Sequence, residues 1–144
     1  MKIVIIGTGG WGKNHCRVLS EFGVLSAVCD INIQRAEEFG KKHSVNFYNS
    51  LENMLEKEEF DAAFVCSPTS THFDITSTLI ENKKHVFVEK PMTYLSEDGQ
   101  KLVEMSIKNK VILTCGYIER FNPAVATVKD FLSSKKYGDL IRLE

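Results

Sequence analysis

The sequence has little of several features that mark specialised protein classes. Its 144 residues carry a net charge of −1, include only three prolines, and contain neither repeats nor an apolar run long enough to span a bilayer. A near-neutral chain offers no basic footprint for nucleic acid or an anionic membrane surface, so neither partner is expected. Met1 leads directly into a strand-like run rather than a signal segment, which predicts a cytoplasmic protein without an anchor.

Cysteine is also scarce, and its spacing does not favour a metal site. The four cysteines, Cys16, Cys29, Cys66 and Cys115, form no CxxC pair and lie in apolar segments. Free cysteine in such segments behaves as a small apolar residue, so inert core thiols are expected rather than metal ligands or disulfides. The composition, 43% hydrophobic and 26% charged, is that of one ordinary globular domain.

Glycine is concentrated near the amino terminus, between a β-branched run and a segment with apolar residues at helical spacing. Gly7, Gly9 and Gly12 follow residues 2–6, and the helical spacing extends over residues 11–22. Glycines in this pattern allow a tight turn, the approach of a pyrophosphate to the backbone, and close packing of helix on strand. The following helix would present its unpaired N–H groups to the phosphates.

Asp30 completes this pattern 18 residues after Gly12, at the end of the apolar run 25–29. A carboxylate there can accept both hydroxyls of an adenine ribose and would repel a 2′-phosphate, which favours NAD over NADP. The alternative is a glycine turn that binds no ligand. The order of strand, helix, strand and acid favours the dinucleotide-binding interpretation over that alternative.

The rest of the chain alternates predicted helices and strands. Helices are predicted at residues 33–42, 51–57, 69–82, 97–109 and 123–132, and strands at 46–48, 62–66, 85–88 and 111–115. Ser50, Ser96 and Asn122 are the predicted N-caps of three of these helices. The alternation indicates an α/β fold, a doubly wound parallel sheet with helices on both faces.

Three polar segments follow predicted strands, where ligands of such sheets bind. Residues 66–72 carry hydroxyls and an imidazole, although Ser70 and Thr71 could equally serve as helix caps. Glu89 and Lys90 precede a proline that favours an extended Lys90; such a pair is more often a solvated surface feature, but this one lies at a carboxyl edge. Residues 116–123 form the third segment.

With these segments in order, the chain resembles the N-terminal domain of the Gfo/Idh/MocA family of oxidoreductases, named for glucose–fructose oxidoreductase and inositol dehydrogenase. The resemblance covers essentially all 144 residues. Residues 11–15 (WGKNH) and 118–124 (IERFNPA) are most similar to a branch that oxidises nucleotide-linked amino sugars at the 3-position. Tyr117 departs from the histidine expected in that branch.

The resemblance implies a division of labour around NAD. Asp30 would bind the adenosine ribose, and Arg35 would either stack over adenine or lie solvated on its helix. Glu89 would bind the nicotinamide ribose, with His72 nearby. Lys90 would be the catalytic lysine, stabilising a developing alkoxide as hydride leaves the substrate. The implied cofactor-binding residues are Gly7, Thr8, Gly9, Gly10, Trp11, Gly12, Asp30, Arg35, Cys66, Ser67, Pro68, Thr69, His72, Glu89 and Lys90.

The resemblance also implies a second domain that this sequence does not contain. Residues 1–119 would be the dinucleotide-binding Rossmann domain, and residues 120–144 a helix and a first strand, from Leu140, leading into the missing domain. In the family, that domain supplies the substrate pocket, an acid/base histidine and aspartate, and the oligomer interface. The chain is therefore expected to be incomplete for catalysis, and its full-length protein to be a homo-oligomer.

The expected function is the nucleotide-binding part of an NAD-dependent dehydrogenase. Its substrate would be a secondary alcohol of a sugar, cyclitol or nucleotide sugar, with a UDP-N-acetylhexosamine 3-dehydrogenase as the finer assignment. The alternative is a stand-alone NAD-binding module that senses redox state without turnover. Such a sensor has no use for Lys90 at the nicotinamide end, which favours the enzyme.

Overall fold

Six parallel strands form one sheet at the centre of the computed structural model, which describes residues 1–136, 138, 139 and 141. The strands are β1 (Ile3–Ile6), β2 (Leu25–Cys29), β3 (Asn46–Tyr48), β4 (Ala62–Val65), β5 (His85–Val88) and β6 (Leu113–Cys115). Their spatial order is β3-β2-β1-β4-β5-β6. This order confirms the predicted Rossmann-type sheet, whose topological switch point lies between β1 and β4.

Six α-helices connect or follow these strands: α1 (Gly12–Glu21), α2 (Ile33–His43), α3 (Leu51–Lys57), α4 (His72–Glu81), α5 (Ser96–Asn109) and α6 (Pro123–Ser133). The first five cover both faces of the sheet. On one face, Ile3 and Ile5 pack with Leu19 of α1; on the other, Val4 packs with Leu79 of α4. Alternate side chains of β1 therefore enter different core layers, which confirms the doubly wound arrangement.

Two of the three predicted helix caps are confirmed, and the third is wrong. The side chains of Ser50 and Asn122 accept hydrogen bonds from the main-chain N–H groups of Asn53 and Ala124. Ser96 is instead the first helical residue of α5, and Leu95 precedes it. The acidic first turn of α5 complements the positive end of the helix dipole in place of a side-chain cap.

Two predicted elements begin two or three residues later in the structure. The helix predicted at residues 69–82 begins as a 3-10 turn, Thr69–Thr71, and becomes α-helical only at His72. The strand predicted at residues 111–115 starts at Leu113, because the Val111 N–H completes the C-terminal turn of α5 by donating to the carbonyl of Ser106. The strand expected from Leu140 lies outside the described residues.

The last helix, α6, has no buried residue. Val125, Val128 and Phe131 are 44%, 44% and 53% exposed. The sheet thus accounts for the packing of the preceding elements but not for the apolar side chains of α6. No helix in the described ranges is long and apolar enough to cross a membrane.

Candidate functional site

A cavity of about 740 Å³ lies at the carboxyl edge of the sheet, a size typical of small-molecule sites. Thirteen predicted cofactor-binding residues line it, from the segments that follow the four strands β1, β2, β4 and β5: Gly7, Gly9, Gly10, Trp11, Asp30, Arg35, Cys66, Ser67, Pro68, Thr69, His72, Glu89 and Lys90. Thr8 and Gly12 are predicted site residues that do not line it. The lining also includes residues that the sequence did not single out, among them Asn49, Glu52 and Ile75.

The glycine loop is tightly packed on one side and open on the other. Gly7 has φ +90°, and a Cβ on Gly12 would lie 1.8 Å from the Gly7 carbonyl oxygen. By contrast, a Cβ on Gly9 or Gly10 would meet no heavy atom within 4 Å. Two glycines therefore permit the turn and the helix contact, whereas the other two leave space beside the main chain. This geometry fits a dinucleotide pyrophosphate.

The start of α1 is also suited to an anion. Trp11 precedes the helix, and within the described part of the chain no side chain caps it by a hydrogen bond. The N–H groups of Lys13 and Asn14 donate to the carbonyls of Gly9 and Trp11. The positive end of the helix dipole is therefore not met by any side-chain acceptor of the described residues and is left for a ligand.

Asp30, at the end of β2, is held mainly by main-chain N–H groups and is 6% exposed. Its Oδ2 accepts hydrogen bonds from the N–H and hydroxyl of Thr8, both at 2.9 Å, and its Oδ1 accepts one from the N–H of Asn32 at 3.0 Å. Burial raises the pKa of Asp30, but these hydrogen bonds and the Arg35 guanidinium outweigh it, so the pKa lies below the ordinary 3.8. The site therefore holds a fixed negative charge here.

Thr8 and Arg35 act on opposite sides of this carboxylate. Thr8 is buried and supports Asp30 from behind the cavity. Arg35 Nη1 lies 3.6 Å from Asp30 Oδ2, with 48% of its side chain exposed. The Arg35 guanidinium therefore lies beside the Asp30 carboxylate at the opening of the cavity. This is where the sequence analysis expects the adenosine of the cofactor.

His72 connects two of the predicted segments. It is 1% exposed, and its two ring nitrogens lie 2.8 Å from the carbonyl oxygen of Pro91 and 2.9 Å from that of Ser67. The imidazole therefore joins the loop after β4 to the loop after β5. Nearby, the Thr71 hydroxyl donates to the carbonyl of Pro68 at 2.8 Å, so it stabilises the turn rather than capping α4.

Glu89, at the end of β5, is also 6% exposed. Its Oε1 lies 2.7 Å from Nε2 of His15, and its Oε2 accepts a hydrogen bond from the Lys90 N–H at 3.2 Å. Lys90 itself is exposed at the cavity. The ammonium group forms no ion pair within the described ranges.

His15 is a residue of this site that the sequence analysis missed. The sequence analysis includes it only within the helical spacing of residues 11–22 and within the WGKNH segment, residues 11–15. Its position in the first turn of the helix that follows the glycine loop was an available signal, because such a residue lies near the carboxyl edge of the sheet.

The arrangement suits binding and charge stabilisation. Burial raises the pKa of the Cys66 thiol, so this cavity residue remains a weak nucleophile. Among the described residues, no cluster of histidine, cysteine and carboxylate side chains could hold a metal ion. The cavity brings together the buried carboxylates of Asp30 and Glu89, the glycine loop and the exposed Lys90.

The chain is similar to known oxidoreductases. The profile of the Gfo/Idh/MocA oxidoreductase family, NAD-binding Rossmann fold, matches residues 1–117. The chain is 30% identical over 125 residues to the UDP-N-acetylglucosamine 3-dehydrogenase of Acidithiobacillus ferrooxidans, covering 87% of this chain and 39% of that protein. It is 31% identical over 141 residues to the myo-inositol 2-dehydrogenase of Thermotoga maritima, covering 96% and 42%.

A solved structure shows the same fold. The WlbA dehydrogenase from Chromobacterium violaceum, in complex with NADH and UDP-GlcNAcA, superposes with a TM-score of 0.89 at 26% identity, covering 96% of this chain and 41% of that one. The chain thus spans about two fifths of the length of the relatives it matches. From this match and from the family profile, the chain belongs to the Gfo/Idh/MocA family of oxidoreductases, as its NAD-binding Rossmann domain.

Proposed function

We propose that this chain is the cofactor-binding part of an NAD-dependent dehydrogenase that oxidises a secondary alcohol of a sugar, cyclitol or nucleotide sugar. The observation that carries the proposal is the pairing, at one end of the cavity, of an exposed Lys90 with a buried Glu89. A module that only senses NAD needs the loop and Asp30, whereas a cation at the other end of the site serves chemistry.

The residues would divide the work along the cavity. The Gly7–Gly12 loop and the start of α1 would bind the pyrophosphate, Asp30 the adenosine ribose, and Glu89 the nicotinamide ribose. NAD, when bound, supplies the hydride acceptor. The Lys90 ammonium would lie beside the substrate hydroxyl and stabilise negative charge on its oxygen as the proton leaves.

The finer proposal is a UDP-N-acetylhexosamine 3-dehydrogenase. Two relatives support it: the enzyme named UDP-N-acetylglucosamine 3-dehydrogenase, and the WlbA dehydrogenase that was solved with UDP-GlcNAcA. Residues 118–124 point to the same branch. The similar identity to inositol dehydrogenases makes the cyclitol class the comparison that an assay has to include.

We also propose that α6 belongs to the boundary with a second domain, which would supply the substrate pocket and a homo-oligomer interface. Two observations support this: α6 has no buried residue, and the relatives are more than twice as long as the matched region. The four free cysteines support a cytoplasmic location, where thiols stay reduced.

Cofactor binding tests the first half of the proposal. Trp11 is the single tryptophan and lines the cavity, so NADH binding should quench its fluorescence and excite nicotinamide emission. The chain alone should bind NADH yet reduce no NAD with any of a panel of sugars, inositols and UDP-sugars. Turnover by the chain alone would contradict the assignment of the substrate pocket to a second domain.

Lys90→Met tests the second half, in a protein that joins this domain to the proposed second one. The expected result is a fall in kcat of at least about 100-fold with unchanged NADH affinity and melting temperature. Lys90→Arg is the matched control, because it keeps the positive charge but replaces the compact ammonium group with a planar guanidinium. Normal turnover by Lys90→Met would leave the sensing module as the better function.

A further inference from the structure

His15 and Glu89 form a contact between α1 and β5 that the proposed function does not use. The two residues are 74 positions apart in the sequence, and their Nε2 and Oε1 atoms are 2.7 Å apart. Because a carboxylate oxygen only accepts hydrogen bonds, Nε2 of His15 is the donor. The two side chains are 18% and 9% exposed, so solvent competes little for either group.

The imidazole of His15 is held in a fixed orientation by aromatic rings. Phe64 of β4 and Phe87 of β5 stack with a centroid distance of 4.4 Å. The His15 ring meets each of them edge-on, with both centroid distances at 5.3 Å. This geometry is a favourable one for aromatic pairs. The His15 ring is therefore held by side chains of β4 and β5, in addition to its hydrogen bond with Glu89.

The other side of the Glu89 carboxylate is confined as well. Its Oε2 accepts the Lys90 N–H, and a Cβ on Gly116 would lie only 2.9 Å from that same oxygen. Glu89 lines the cavity, whereas His15 does not. His15 therefore acts on a ligand indirectly, through the cavity residues that it contacts: Glu89, and Trp11, whose ring centroid lies 6.5 Å from that of His15.

We propose that His15 is a positioning residue. Its imidazole fixes the Glu89 carboxylate, and through it the start of the Lys90 segment, in the orientation that receives the nicotinamide half of the cofactor. The inference rests on the proposed role of Glu89 at the nicotinamide ribose. Without His15, the carboxylate would keep, among the described residues, a single hydrogen bond, from the Lys90 N–H, and its orientation would be less restricted.

The first measurement needs no cofactor. Because the Lys90 N–H donates to Glu89, hydrogen exchange at the Lys90 amide reports whether the carboxylate stays in place. His15→Ala should raise this exchange rate roughly tenfold, and Asn14→Ala, an exposed neighbour on α1, should leave it unchanged. His15→Gln should restore most of the protection, because its amide nitrogen can replace Nε2. An unchanged Lys90 exchange rate in His15→Ala would overturn the proposal.

The second measurement compares two ligands, with Trp11 fluorescence as the readout. NADH reaches both ends of the site, whereas ADP carries only the adenosine and phosphate groups. His15→Ala should weaken NADH binding roughly tenfold, the loss expected for a hydrogen bond to a charged group, and leave ADP binding unchanged. His15→Gln should bind NADH within about threefold of wild type.

The outcomes separate positioning from structural support. Equal losses for NADH and ADP, or no rescue by His15→Gln, would show that His15 only supports the fold and would overturn the proposal. If His15→Ala does not fold, His15→Asn replaces it, since its shorter amide matches Nδ1 and does not reach Glu89. If wild type binds neither ligand, the proposed function fails, and the Lys90 exchange rate alone decides whether His15 positions Glu89.

Discussion

Asp30 and Glu89 are buried carboxylates of the same cavity, each 6% exposed, yet they are held in different ways. Asp30 receives a main-chain N–H from Asn32 in its own turn, and a main-chain N–H and a hydroxyl from Thr8 in the glycine loop. Glu89 receives one main-chain N–H and the side chain of His15, which comes from a distant helix. With β1 and β4 between β2 and β5, the two strand ends lie roughly 14 Å apart.

The difference concerns which groups can move. Main-chain donors around Asp30 are fixed by the sheet and the glycine loop, so this end is rigid unless the backbone itself shifts. The partner of Glu89 is a side chain whose position depends on how α1 packs over Phe64 and Phe87. We infer that the adenosine end tolerates substitutions of nearby side chains better than the nicotinamide end.

The largest expected effect is the loss of stability when a glycine that packs against main chain, Gly12, is replaced by alanine. In Gly12→Ala the new methyl group would lie 1.8 Å from the Gly7 carbonyl oxygen, a main-chain atom that cannot move alone. The free energy of unfolding should fall by about 3 kcal/mol or more, and NADH binding should be lost. Urea unfolding and Trp11 fluorescence measure the two quantities.

Gly116→Ala is the matched change at the Glu89 end. Its methyl group would meet Glu89 Oε2 at 2.9 Å and Phe87 Cζ at 3.0 Å, the ends of side chains that can shift. The expected loss is about 1 kcal/mol. In Gly10→Ala the new methyl group would meet no heavy atom within 4 Å. The free energy of unfolding of this variant should lie within about 0.5 kcal/mol of wild type. Equal losses for Gly12→Ala and Gly116→Ala would contradict the contrast between main-chain and side-chain support.

A smaller effect is expected for cofactor choice at Asp30. Wild type should bind NADH better than NADPH, because the carboxylate would lie where the second cofactor carries its 2′-phosphate. Asp30→Ala should narrow this gap about tenfold or more, since like-charge contact is removed and Arg35 loses its partner. Titration calorimetry with both cofactors measures the ratio. Asp30→Asn, which keeps the shape, should show whether charge alone accounts for it.

Equal or inverted affinities for wild type would contradict the role of Asp30. A gap that stays constant in Asp30→Ala while NADH affinity falls would instead indicate that the carboxylate only supports the loop through Thr8.

The smallest expected effect is the dependence of stability on pH. The pKa of Asp30 is lower in the folded state than its ordinary 3.8, so folding is favoured when this carboxyl is ionised. Its contribution is therefore fully present above the unfolded pKa and is lost as the pH falls through the folded pKa. Urea unfolding between pH 5 and pH 2 measures it.

Thr8→Val tests whether the hydroxyl of Thr8 contributes to that pKa. Removing one hydrogen bond to the carboxylate should raise the folded pKa towards 3.8 and reduce the pH dependence. Wild type and Thr8→Val should then differ most above pH 4 and converge at low pH. Thr8→Ser, which keeps the donor, is the control. Parallel curves at all pH values would show that the hydroxyl does not affect the titration of Asp30.

Local sequence patterns predict most of the helices and strands, and they predict that Asp30 lies at the end of a strand. β2, β3 and β5 have the predicted bounds, because each is a short, mostly apolar run that is flanked by polar or turn-forming residues. The Ser96 cap failed because acidic residues follow it and satisfy the same helix end. The bounds of α4 failed because Pro68 and the Thr71 hydroxyl stabilise a 3-10 turn first.

The sequence by itself determined the class of this protein, because Gly7, Gly9, Gly12 and Asp30 all lie within one strand–helix–strand unit, β1-α1-β2, and its end. Only the tertiary structure decided the partners of Glu89. The contact with His15 joins residues 74 positions apart, and it depends on the crossing of α1 over two strands that pair later in the chain. Hydrogen bonds of this kind follow from how the elements pack, and no local pattern of residue types encodes that packing.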